Sequence, residues 1–218
     1  MEFSQSKLLS LEELYRRNLM NTLTGYKNGN LIGTQDGNGN TNLAVFNSVF
    51  HIGAKPPHIG FVLRPTTVAR HTYDNIRAVG YYTINHIHTE MTAAAHQTSA
   101  KYAKEESEFE KCGFTTQFST NFGFAPYVKE SRIKIGLKFT EEIYIKTNDV
   151  WIIVGEVQEI IIDENFIRKD GFIDLQKAGT AVVSGLDAYY EVTEIARYAF
   201  ARPNQELQKL APKLPESF

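Results

Sequence analysis

The sequence predicts a mainly β, α+β domain: antiparallel strands with helices inserted between them. Three observations lead there. Runs rich in Val, Ile, Leu and Phe at residues 43–52 and 59–63, the stretch 81–87, and two long runs with partial period-two alternation at 128–139 and 150–162 read as strands. Asp36-Gly37-Asn38-Gly39, Pro56-Pro57 and Asp170-Gly171 supply the reversals between and after them. Helical spacing is confined to short inserted stretches, which favours an α+β domain or a barrel over a doubly wound parallel sheet.

Taken in order, Ser10 followed by Glu13 reads as a capping box, and Leu11, Leu14, Tyr15, Leu19 and Leu23 fall near helical spacing. A first helix is expected over about residues 11–22, stopped at Gly25. Leu31-Ile32 marks a short strand that turns at 36–39 into a hairpin. Gly53 and Pro56-Pro57 separate the next two strands. Thr67 can cap a helix carrying Val68, Tyr73, Ile76 and Val79, and Gly80 closes it before the strand at 81–87. Another helical patch is expected over 92–104, and Ser107 with Glu110 suggests a further cap. From Arg202 onward Pro203, Pro212 and Pro215 sit among polar residues, as in an arm rather than a core. With no fixed-period repeat and no break in composition, residues 1–218 are expected to form a single domain, with the N-terminal helix and a C-terminal extension over about 202–218.

Composition narrows the function. The 218 residues are 42% hydrophobic and 22% charged, in the ordinary range of folded domains. A net charge of -2 offers no field for a phosphate backbone, so nucleic acid is not an expected partner. Cys112 is the single cysteine, which excludes an intramolecular disulfide and a multi-cysteine metal site. Residues 1–17 carry Glu2, Glu12 and Glu13 without an apolar run, unlike a signal or transit peptide, and no segment is apolar for long enough to span a bilayer. A cytoplasmic protein with no membrane partner is expected.

Among chemical motifs, Gly37-Asn38-Gly39 starts like a dinucleotide fingerprint, but Asn42 stands at the third glycine position and a strand follows where a helix is needed. P-loop and nucleophile-elbow sequences are absent. His86 and His88 share one face of a strand and could supply two metal ligands, yet no further ligands are placed with them, and a structural role is preferred. The informative stretch is 47–65 with the helix after it. Small and polar residues at a strand end leave backbone N–H groups free to face a planar ligand. Arg64, Arg70 and Thr72 then lie around a helix N-terminus, which is either a phosphate site or a capped helix with solvated arginines.

Several segments, in order, carry a resemblance: Leu31-Ile32-Gly33-Thr34, Asn42-Leu43-Ala44-Val45-Phe46-Asn47-Ser48, Pro56-Pro57, Arg64-Pro65, Arg70-His71-Thr72-Tyr73-Asp74-Asn75-Ile76 and Tyr82-Thr83-Ile84-Asn85. Ser107-Glu108-Phe109 and Gly185-Leu186-Asp187-Ala188-Tyr189-Tyr190 complete the series. It resembles the flavin reductase-like, FMN-binding split-barrel family, in its flavoredoxin-type branch, over roughly residues 14–203.

The resemblance implies a six-stranded antiparallel Greek-key split β-barrel with inserted helices, and a homodimer with FMN near the subunit interface. Asn47, Ser48, Val49 and Phe50 would line the isoalloxazine edge, largely through main-chain groups. Arg64, Arg70 and Thr72 would hold the phosphate, and His96, Thr98 and Ser99 match a polar segment that either faces the flavin or lies on a helix surface. The implied activity is an FMN-dependent oxidoreductase: hydride passes from NAD(P)H to flavin N5, then electrons pass to a second acceptor, a small molecule or a protein. No acid-base catalytic residue is expected, since the flavin carries the chemistry. An FMN-binding protein without turnover, and an FMN oxidoreductase with another substrate, are the alternatives.

Overall fold

In the computed structural model, which describes residues 1–65 and 70–210, the chain begins with helices α1 (Gln5–Ser10) and α2 (Glu13–Leu23). The cap is not the expected one. Ser10 ends α1 with its Oγ donating to the Lys7 carbonyl, while the Glu12 carboxylate caps α2 by accepting from the N–H groups of Leu14 and Tyr15 at 2.9 and 2.8 Å. A carboxylate that reaches two orphan amides at the positive end of a helix outcompetes a hydroxyl already used by its own turn. Gly25 follows α2 with a φ of 77°, a left-handed conformation.

Seven strands then form one antiparallel sheet: β1 (Asn30–Gln35), β2 (Thr41–Phe46), β3 (Val49–Ala54), β4 (Pro57–Leu63), β5 (Tyr81–His86), β6 (Ile133–Ile145) and β7 (Val150–Ile162). Their spatial order is β2-β1-β5-β6-β7-β4-β3. The β1–β2 turn is held by Asp36, whose carboxylate accepts from the backbone N–H groups of Asn38 and Asn40 and from Asn40 Nδ2.

The edge strands β2 and β3 are consecutive in the chain, with only Asn47 and Ser48 between them. The sheet therefore has to curl until its edges meet at that corner, although no ladder joins β2 to β3 among the described residues. Taken as one strand bent at Asn47-Ser48, residues 41–54 reduce the count to the six expected of a split barrel.

The run expected at 128–139 divides. Tyr127–Val128 pairs separately with Thr116–Gln117, and the Ser131 N–H turns back to the Val128 carbonyl at 3.1 Å before β6 begins. After β4 the helix α3 (His71–Val79) starts from Arg70 and is closed by Gly80, whose N–H reaches the Ile76 carbonyl at 2.8 Å. Thr67 and Val68, assigned to that helix from the sequence, lie outside the described residues, as do Pro212 and Pro215.

The helix α4 (Thr92–Gln97) stops short of residue 104, because the Thr98 hydroxyl donates to the Ala95 carbonyl at 2.8 Å and the next N–H groups follow with tight turns. Ser107 precedes α5 (Glu108–Lys111) without capping it; its hydroxyl pairs with Thr41 Oγ1 at 2.7 Å.

Both faces of β1 are covered. Ile32 packs into the barrel interior with Phe61, Leu63, Ile76, Tyr82, Ile84, Leu137 and Ile153, while neighbouring Leu31 faces a second cluster with Leu43, Ile87, Met91, Ala95 and Phe109. An apolar pair of consecutive residues in a strand requires such two-sided burial. Outside the core, Arg197–Tyr198 pairs with Lys209–Leu210 as a small, largely exposed two-stranded unit.

Candidate functional site

The barrel corner carries the first group of candidate residues. The β1–β2 ladder ends at Phe46 and the β3–β4 ladder starts at Val49, so the N–H groups of Asn47 and Ser48 lie outside both. Asn47 Nδ2 donates to the Gly185 carbonyl at 2.7 Å, which ties the corner to a turn far along the chain, where Gly185 has a φ of 64°. Ser48 Oγ donates to the Val62 carbonyl at 2.9 Å, and the Val62 N–H returns to the Ser48 carbonyl at 3.4 Å.

Those two side chains are thus engaged by the Gly185 and Val62 carbonyls, and the N–H groups of Asn47 and Ser48 are the donors at this corner that neither ladder uses. Val49 packs against the interior cluster. Phe50 stands opposite Gly60 with its ring lying over that glycine, where a side chain would collide with it.

The second group flanks the end of β4 and the start of α3. Arg64 is exposed, with Nη2 on Asn21 Oδ1 at 3.3 Å; Arg70 is half-buried, with Nε on the Pro65 carbonyl at 3.1 Å. Neither guanidinium meets a carboxylate among the described residues. Arg70 is also the N-cap residue of α3, and its own side chain makes no cap hydrogen bond. A guanidinium at the N-cap position of α3 and a second just after β4, neither with a carboxylate partner among the described residues, suit an anion such as a phosphate monoester. Thr72, in the first turn, is 5% exposed, and its Oγ1 accepts from Asn42 Nδ2 at 3.0 Å.

The polar segment of α4 is divided. His96 Nδ1 lies 3.2 Å from the Tyr189 hydroxyl, with the two rings edge to face, and burial raises the Tyr189 phenol above its ordinary pKa. Thr98 is buried and spends its proton on the Ala95 carbonyl. Of the two strand-end histidines, His86 is held neutral by burial, which pushes it down to about 4, and His88 is lowered chiefly by burial and next by Arg132. No group of three or more His, Cys, Asp or Glu side chains that could hold a metal ion occurs among the described residues.

Sequence reasoning gave no role to the residues that hold this corner in place. Glu108 accepts from the Leu43 N–H at 2.9 Å along the outer edge of β2, and Gly185, Asn42 and Tyr189 each hold a candidate residue from a distant segment. All four lie in segments that carry the family resemblance, which marks them without saying what each one holds.

The flavin reductase like domain family matches residues 24–178, more than half of the chain. A split-barrel protein assigned as a flavin reductase from Shewanella frigidimarina NCIMB 400 is 45% identical, over 92% of this chain and 100% of its own, with a TM-score of 0.88. Flavoredoxin of Desulfovibrio vulgaris (Miyazaki F) is 26% identical over 81% of this chain and 92% of its own, at a TM-score of 0.70. Nitrilotriacetate monooxygenase component B from Bacillus cereus shares the fold at 18% identity, over 89% of this chain and 96% of its own, with a TM-score of 0.78. A search of curated proteins finds no significant match. Strand order, barrel corner and sequence agree, and the chain belongs to the flavin reductase-like domain family.

Proposed function

We propose that the chain is an FMN-dependent oxidoreductase of the flavoredoxin type, which takes electrons from NAD(P)H and delivers them through the flavin to a second acceptor, a small molecule or a protein. The observation that carries the reading is the pair of guanidiniums, Arg64 just after β4 and Arg70 at the N-cap of α3, neither with a carboxylate partner among the described residues. They would hold the phosphate together with Thr72. The peptide groups of Asn47, Ser48, Val49 and Phe50 would line the ring edge. FMN, when bound, accepts a hydride and passes electrons onward. The protein's part is to position it, and N–H donors outside the ladders at the corner would favour negative charge on the ring.

A single FMN-binding domain working as a homodimer fits the same reading. No side chain of α1 or α2 is buried within the chain, and Leu14, Tyr15, Met20 and Leu23 are 50, 53, 48 and 69% exposed. A second copy packed on this helix would cover apolar side chains that the chain itself leaves exposed. Sedimentation equilibrium is expected to give a dimer, and substitution of Leu14 and Leu23 by Glu is expected to weaken it; a monomer at all concentrations rejects the assembly.

The function is tested by the visible spectrum. Added FMN is expected to bind and then to bleach on anaerobic addition of NADH or NADPH. A protein that takes up no FMN refutes the reading, and a bound flavin indifferent to both nicotinamides removes the reductase half of it. Arg64→Ala and Arg70→Ala should each weaken FMN binding, by roughly ten-fold for the loss of one charge-assisted contact. Unchanged dissociation constants in both variants reject the phosphate assignment.

A further inference from the structure

We propose that Asn42 is a positioning residue for the phosphate site: its buried amide turns the Thr72 hydroxyl so that the hydroxyl proton is left for the ligand. The inference rests on the phosphate reading of Arg64, Arg70 and Thr72, and adds a residue that touches no ligand itself. Four polar side chains meet between β1, β2 and the first turns of α3. Thr34, Asn42, Thr72 and Asn75 are 0, 8, 5 and 7% exposed. Asn42 Nδ2 donates to Thr72 Oγ1 at 3.0 Å and approaches Thr34 Oγ1 at 3.4 Å, while Asn75 Nδ2 donates to Thr34 Oγ1 at 3.1 Å.

A hydroxyl has one proton and two acceptor positions. With an acceptor position of Thr72 filled by the Asn42 amide, its proton is not needed within the cluster. A phosphate oxygen accepts and cannot donate when ionised, so a hydroxyl whose proton is free matches it and one whose proton is already spent does not. The contrast with Thr98 is direct, because that hydroxyl spends its proton on the Ala95 carbonyl. Burial adds to the effect: an amide removed from water makes its hydrogen bonds or costs free energy, so Asn42 holds its orientation instead of exchanging with solvent. The same contacts fasten the start of α3, and with it Arg70, to the β1–β2 hairpin.

The test compares FMN with riboflavin, which has the same ring system and no phosphate. Dissociation constants of both are measured by flavin fluorescence for the wild type, Asn42→Leu, Thr72→Val and the double variant. Thr72→Val should weaken FMN about ten-fold and leave riboflavin unchanged. Asn42→Leu should weaken FMN several-fold with riboflavin unchanged, and should cost nothing further on top of Thr72→Val.

Equal losses for both flavins in Asn42→Leu, or additive losses in the double variant, overturn the inference in favour of a purely structural role. Tighter or unchanged FMN binding in Asn42→Leu overturns it too, because the amide oxygen would then be facing Thr72 and capturing its proton. If Thr72→Val leaves the preference for FMN over riboflavin intact, Thr72 drops out of the phosphate site and the inference falls with it, while the Arg64 and Arg70 variants decide the rest of the reading; if only Asn42→Leu does so, the reading stands and the inference alone fails. Should the leucine variant not fold, Asn42→Ser, which shortens the side chain without removing its polarity, is held to the same outcomes.

Discussion

Tyr82 is wholly buried in the barrel interior, and its hydroxyl has no hydrogen-bond partner among the described residues. The phenol lies directly over Gly155, so closely that any side chain there would strike the hydroxyl, and burial raises its pKa far above the ordinary value. An unpaired buried hydroxyl costs about 1–3 kcal/mol. Tyr82→Phe is therefore expected to hold or raise stability, while Gly155→Ala should lower it by about 1–3 kcal/mol through overpacking. Part of the Gly155→Ala penalty should vanish in the Tyr82→Phe background, the ring carbons at 2.9 and 3.0 Å keeping the rest; urea unfolding of the four proteins measures both changes, and a fully additive pair would show that the hydroxyl does not press on position 155.

Candidate site residues were legible to different degrees at this scale. Arg64, Arg70 and Thr72 were visible as donors near a helix start because cation and hydroxyl chemistry is written in residue type. The commitment of Ser48 to the Val62 carbonyl, and of Thr72 to Asn42, was not, because a hydroxyl's partner is chosen by whatever chain packs beside it.

Helix α3 shows what local sequence controls. Its end is encoded by Gly80, which takes a φ of 80° and places its N–H on the Ile76 carbonyl. Ala at that position has to enter the left-handed region, and Gly80→Ala should cost about 1 kcal/mol in unfolding free energy, with β5 immediately after it and the site at the other end of the helix undisturbed. A variant as stable as the wild type would show that the turn relaxes into another conformation.

Helix starts were read less well. Ser10 and Ser107 have the right residue type for caps, but Ser10 is used by α1 and Ser107 by Thr41 across the chain. A cap is a competition among acceptors, and the winner Glu12 is decided by reach and charge. The strand limits moved for a related reason: an apolar run at 128–139 describes which residues are buried and cannot say that the chain reverses at 128–131 and begins a new ladder at Ile133.

For the molecule as a whole, His86 couples stability to pH. The unfolded imidazole takes up its proton near its ordinary value of 6.5, while burial delays the folded one to about 4. Over that interval the unfolded state binds more protons, so this contribution is fully present above pH 6.5 and is lost as pH falls towards 4, by at most about 3 kcal/mol. Thermal midpoints between pH 7 and pH 4 should fall more steeply for the wild type than for His86→Leu; parallel profiles would remove His86 as the cause.

The sequence by itself determined the apolar runs, the β1–β2 turn and the end of α3, because each depends on side-chain burial or backbone preference within a few residues. Its ordered segments were also enough to point to the family. Only the tertiary structure decided that Asn47 is fastened to Gly185, that Glu108 covers the edge of β2, and that Asn42 meets Thr72. Those contacts join segments far apart in the chain, which meet only in the folded molecule. Closure is a property of the strand order, which local periodicity does not contain.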